Sequence, residues 1–114
     1  MKLAITESAL ERLQAVGANR YANLLLWYDI EGCGCGVNGV NRILFTNDMK
    51  DTYKKVDNNS DFCVWVPEQQ MIFFAEEMTL ERRGGLLRLK SASEMLNAFI
   101  SPQSLLDFPE QIKS

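Results

Sequence analysis

Histidine is absent from the sequence. That absence removes the Ser/His and Cys/His nucleophile pairs, the imidazole general base and every histidine-ligated metal site. Any metal must be held by Cys, Asp or Glu, and no enzyme chemistry is expected. Long apolar runs are missing too. The longest, residues 24–28 and 71–75, have five residues each, far short of the ~20 a membrane span needs. Residues Met1 to Glu7 lack the apolar stretch of a signal peptide. Nor is there a basic excess: 12 Lys+Arg stand against 15 Asp+Glu, for a net charge of -3, and only Lys54-Lys55 and Arg82-Arg83 are adjacent. No basic stripe exists to neutralise a row of phosphates, so neither nucleic acid nor membrane is expected as a partner. The three cysteines are an odd number, which argues against a secreted disulfide framework and for a cytoplasmic protein.

What is present is ordinary globular material, 46% hydrophobic and 24% charged over 114 residues. A chain of this mass hides about two-thirds of its surface on folding, enough for one core without staples. Residues 1–114 are therefore expected to form a single domain. Residues 2–5 are a short extended start. Thr6 or Ser8 opens a helix, with Ser8 and Glu11 at capping-box spacing. Leu10, Leu13 and Val16 form its buried stripe and Gly17 ends it. Residues 22–30 are a strand with apolar groups on both faces, which predicts burial on both sides. Residues 40–46 return as a second strand, so Tyr28 to Phe45 reads as a hairpin with a glycine-rich tip.

Further on, residues 52–56 suggest a weak edge strand and 57–61 a polar turn. Residues 62–66 are a strong strand stopped by Pro67. Residues 68–77 are ambiguous between a helical turn and a strand. Residues 78–83 and 86–91 flank Gly84-Gly85, a two-glycine hairpin signal. Residues 95–100 form another short strand, and the tail after Pro102 is expected to be loosely attached. One helix with about six to eight short strands makes a mostly β, α+β domain.

The chemistry concentrates in Glu31-Gly32-Cys33-Gly34-Cys35-Gly36-Val37-Asn38-Gly39. Thiolates are soft ligands suited to iron–sulfur clusters, zinc or Cu(I). Gly32, Gly34 and Gly36 let the backbone fold tightly, so that the sulfurs of Cys33 and Cys35 converge and amides point at cluster sulfides. An all-cysteine cluster takes four ligands and one loop supplies two, so either a second protomer or glutathione or another small thiol would complete the set. The competing readings are a hairpin tip with incidental cysteines and a Cys-Gly-Cys redox disulfide. Against the second, the neighbouring Asp29 and Glu31 would raise the thiol pKa values, and no cation lies closer in sequence than Arg42. A metal's own charge deprotonates the thiol without such help. Cys63, inside the strand at 62–66, is expected in the core. Glu76-Glu77 and Asp48/Asp51 are expected on solvated faces, and Trp27, Trp65, Phe73 and Phe74 in the core rather than in a stacking platform.

At the cysteine loop the chain resembles the HesB/IscA-like, or A-type carrier, domain of iron–sulfur cluster biosynthesis. Residues 3–9 resemble that family's short strand running into its first helix, and Leu24 to Cys33 the strand that delivers its first ligand cysteine. Residues 62–66 and 86–89 resemble later strands. The family's second motif, a Cys-Gly-Cys near the C-terminus, is missing, since no cysteine follows Cys63. Cys33 matches a family ligand position, while Cys35 stands where the carriers have a small residue. The resemblance is to a short branch of the family. It implies two packed mixed β-sheets, a β-sandwich, with an N-terminal helix. It also implies an iron or 2Fe-2S cargo on Cys33 and Cys35, a homodimer, and apo-proteins or assembly machinery as partners. The alternative is an interaction or regulatory module that keeps the fold without the cluster, or a small thiol redox protein.

Overall fold

The computed structural model describes residues 1–17, 20–29, 39–48 and 50–106. The extended start is β1 (Lys2–Ile5), which runs directly into α1 (Glu7–Gly17). Thr6 caps the helix. Its Oγ1 accepts from the Ala9 N–H at 3.3 Å and its carbonyl from the Leu10 N–H at 2.8 Å, a pattern that satisfies donors the first turn leaves open. Ser8 lies inside the helix rather than at its cap. The buried stripe centres on Ala9 and Leu13, with Leu10 and Val16 half-buried at its edges. Gly17 ends α1 where a Cβ would stand 3.1 Å from the Phe45 ring, so the helix end can lie this close only without a side chain.

The strands that follow are β2 (Asn23–Asp29), β3 (Val40–Thr46), β4 (Tyr53–Asn58), β5 (Cys63–Pro67), β6 (Glu77–Arg83), β7 (Leu86–Ser91) and β8 (Met95–Ile100). They form one mixed sheet in the order β3-β2-β5-β4-β1-β6-β7-β8. The expected pair of sheets is this one sheet with a narrow seam. Its halves are joined where β1 and β4 pair in parallel through Lys2↔Asp57 and Leu3↔Asn58. Asn59 extends the seam with a side-chain amide: Ile5 N–H donates to its Oδ1 at 2.8 Å and its Nδ2 donates to the Ile5 carbonyl at 3.0 Å. The sheet curls until its outermost strands meet, where Asn97 Nδ2 of β8 donates to the Asn41 carbonyl of β3 at 2.7 Å.

Inside the curl lies the main core, to which Leu3, Leu13, Leu24, Phe45, Val64 and Leu89 belong. A second cluster on the outer face joins Leu25, Trp27, Leu44 and Tyr53, with Trp65 packed on it. The two-sided burial expected of β2 is thus present. Two expectations need correction. First, β4 is no edge strand, because it lies between β5 and β1 and includes Asp57 and Asn58. Second, the tail after Pro102 is anchored as far as η2 (Pro102–Leu106), whose Leu105 is fully buried in the main core. The ambiguous stretch resolves to the helical alternative, a 3-10 helix η1 (Glu68–Phe73), before β6 starts. Gly84 takes a left-handed φ of 62° in the β6–β7 turn, which its lack of a Cβ permits.

Candidate metal centre

The hairpin expected around the cysteines is formed by β2 and β3, antiparallel from Asn23↔Thr46 to Asp29↔Val40 and within the same sheet. Cys33, Cys35, Gly32, Gly34 and Gly36 belong to residues 30–38, which lie outside the described residues. What the structure shows is the neck on which that segment stands, and it is braced on both faces.

On the core-side face stands Tyr28. Its ring stacks on Phe73 with centroids 3.9 Å apart and planes 6° from parallel. Its phenol oxygen accepts from the Gly39 N–H at 2.8 Å, tying the last turn of β2 to the residue before β3. Beside it, Asn41 is buried and its Nδ2 donates to the Phe73 carbonyl at 2.8 Å. On the opposite face Arg42 Nη1 donates to Asp29 Oδ2 at 2.8 Å, and Arg42 Nη2 to the Ser104 carbonyl of η2 at 3.0 Å. Both ion-pair partners are largely shielded, with side chains 14% and 15% exposed. The cation nearest the cysteines in sequence is therefore matched by Asp29.

Cys63 lies elsewhere. It pairs with Asn23, at the far end of β2 from Asp29, and at ~3.3 Å per residue that is about 20 Å from the neck. It is half-buried rather than fully in the core, because Val64 and Val66 take the core face of β5. Phe73 also departs from expectation, at 45% exposed, since its ring covers Tyr28 at the surface. Trp27 and Trp65 pack in the outer cluster and Phe74 against the main core. Asp48, Asp51, Glu76 and Glu77 are exposed as expected. Among the described residues no three Cys, Asp or Glu side chains come together to hold a metal.

Among the described residues, two ionisable groups are displaced from their ordinary range. Burial, with Asp48 nearby, raises Tyr53 in the outer cluster. Hydrogen bonds from Lys90 and Arg88 lower Glu81 on β6. Neither belongs to the neck. Chemically, the neck can fix the two ends of a thiol-bearing segment.

The residues the sequence did not single out are Gln70, Asn41 and Asn97, which act through side-chain amides on distant backbone. One signal was available for Gln70. Pro67 ends β5 without an N–H, so the end of β2 needs another partner.

The profile of the family described as iron-sulphur cluster biosynthesis matches residues 1–101. The uncharacterized protein YqkB of Bacillus subtilis (strain 168) is 33% identical over 104 residues, covering 89% of this chain and 96% of that protein. Among solved structures, "a putative Fe-S biosynthesis protein from Lactobacillus acidophilus" superposes with a TM-score of 0.71 at 17% identity, covering 94% of this chain and 95% of that one. Its counterpart from Lactobacillus salivarius gives 0.69 at 24% identity, covering 89% and 95%. Escherichia coli SufA, involved in biosynthesis of iron–sulfur clusters, gives 0.56 at 16% identity, covering 78% and 77%. These structures share the fold, mostly β with one helix. No helix among the described residues is long and apolar enough to cross a membrane.

Proposed function

The chain belongs to the iron-sulphur cluster biosynthesis family, and from that premise we propose that it carries iron or an iron–sulfur cluster on Cys33 and Cys35. The role is that of a carrier in the cytoplasm, where thiols stay reduced, and not of an enzyme. The supporting observation is the braced neck: Tyr28 to Gly39 on one face and Asp29 to Arg42 on the other hold the ends of the segment in which both cysteines lie. Soft thiolates separated by one glycine suit iron as cargo. With Cys63 about 20 Å from the neck, one chain brings two thiolates, and a 2Fe-2S cluster held by cysteine alone takes a second protomer. The cargo passes from there to an apo-protein.

Anaerobic reconstitution with iron and sulfide tests this reading. The wild type should gain thiolate-to-iron absorbance, and Cys33→Ser and Cys35→Ser should each lose most of it while their far-ultraviolet spectra stay unchanged. Dimerisation should track cluster content and reverse on chelation. A wild type that takes up neither iron nor zinc leaves the cluster-free interaction module in its place.

A further inference from the structure

β1 has a parallel neighbour on each side, β4 through Lys2↔Asp57 and β6 from Lys2↔Glu77 to Ile5↔Leu80. Strands so placed are ordinarily covered on both faces. Here one face is covered, because Leu3, Ile5, Met78, Leu80 and Leu89 turn into the main core. Side chains alternate along a strand, so Lys2 and Ala4 take the other face, where both are exposed. Over the small side chain of Ala4 lies a trough of about 750 Å³ that crosses β4, β1, β6 and β7. That volume falls in the range of small-ligand sites.

Two rows of side chains line the trough. In the first, Lys2 has Asp57 on one side and Glu77 on the other, so two carboxylates flank one ammonium. Among the described residues no ion pair joins Lys2 to either of them. In the second, Ala4 and its partner Thr79 form the floor, and Lys90, paired with Thr79, stands at the end. Lys90 Nζ donates to Glu81 Oε1 at 2.8 Å, but Glu81 also receives Arg88, so this end keeps a cation in excess. One end of the trough is therefore negative and the other positive. The rows lie two residues apart along the strands, and Lys90 is one strand from Glu77 and two from Lys2, which separates their backbones by roughly 8–12 Å.

We propose that this trough binds a short zwitterionic peptide of about three residues, its ammonium on the row of Asp57 and Glu77 and its carboxylate at Lys90. Three extended residues span about 10 Å, which matches the spacing of the rows, whereas a free amino acid holds its two charges within one residue. The Thr79 hydroxyl can both donate to and accept from the peptide backbone. Small side chains of the peptide rest on Ala4.

Trialanine titrated into the wild type, read by amide chemical shifts, tests the site. Shifts at Ala4, Thr79 and Ser91 should appear at millimolar peptide and shrink in high salt. N-acetyl-trialanine amide, which lacks both charges, and free alanine, whose charges are too close, should bind several-fold more weakly. Asp57→Asn and Glu77→Gln change exposed side chains, and each should weaken trialanine about two- to fivefold, the size of an exposed ion pair. Ala4→Leu fills the floor and should abolish binding, with the thermal midpoint of all three variants near the wild type. A wild type whose shifts do not move overturns the proposal. So does a capped peptide that binds as well as the free one, or a pair of carboxamide variants that bind like the wild type. If sedimentation shows the wild type self-associating and Ala4→Leu restoring the monomer, the occupant is a second copy of the chain and the peptide site falls.

Discussion

Cys63 shows how a strand's face decides what a residue is worth. It pairs with Asn23 at the start of the parallel β2–β5 ladder, and its side chain is half-buried on the side away from Val64 and Val66. Cys63→Ala therefore deletes a partly packed group, for about 1 kcal/mol or less, the low end of core truncations. Denaturant unfolding would read that cost, and iron and zinc content should match the wild type. Loss of metal in a folded variant would make Cys63 a ligand. The opposite extreme is Gln70, whose contribution is invisible in composition. Its partner Tyr28 is 42 positions away, and a side-chain amide standing in for a strand residue leaves no periodic pattern. The neck's strands were legible because an apolar run, four glycines and another apolar run are local signals. Its supports from outside the hairpin were not, because Gln70 and Ser104 lie 42 and 62 positions from the residues they hold.

At the scale of elements, β1 and β8 read correctly, as do the strands with local punctuation: β2 and β3 around the glycines, β6 and β7 around Gly84-Gly85, and β5 before Pro67. β4 misleads because polarity reports on a strand's faces and not on its place in the ladder. Lys54 and Lys55 are exposed to solvent, yet β4 has a strand on each side, β5 along Tyr53 to Val56 and β1 at Asp57 and Asn58. The tail misleads for a related reason. Leu105 and Leu106 are a lone apolar pair between polar residues, and the burial of Leu105 depends on surfaces supplied by α1 and β3. Leu105→Ala should cost about 2–4 kcal/mol, as expected for a fully buried leucine. It should also loosen the carbonyl of Ser104 that receives Arg42, so exchange at residues 40–42 should quicken along with the fall in midpoint. A variant as stable as the wild type would return the tail to the status of an appendage.

At the scale of the molecule, the order of strands in the sheet is not the order of synthesis. The set β2 to β5 is contiguous in the chain, as is the set β6 to β8, yet β1, which precedes both in sequence, lies between them. Leu3 pairs with Asn58 on one side and Met78 on the other. Both pairings close long loops, whose entropy must be met before any contact repays it. The two contiguous sets can gather from nearby neighbours, so β1 is the stitch that closes after them. Leu3 is almost fully buried, and Leu3→Ala should destabilise by about 2–5 kcal/mol. Because its contacts form late, that loss should appear in stopped-flow kinetics as faster unfolding with the refolding rate nearly unchanged. Slower refolding instead would place β1 in the nucleus. A ribosome-bound chain, on this account, releases β1 before either of its partners, β4 and β6, so this strand is made ahead of the strands it joins and committed after them.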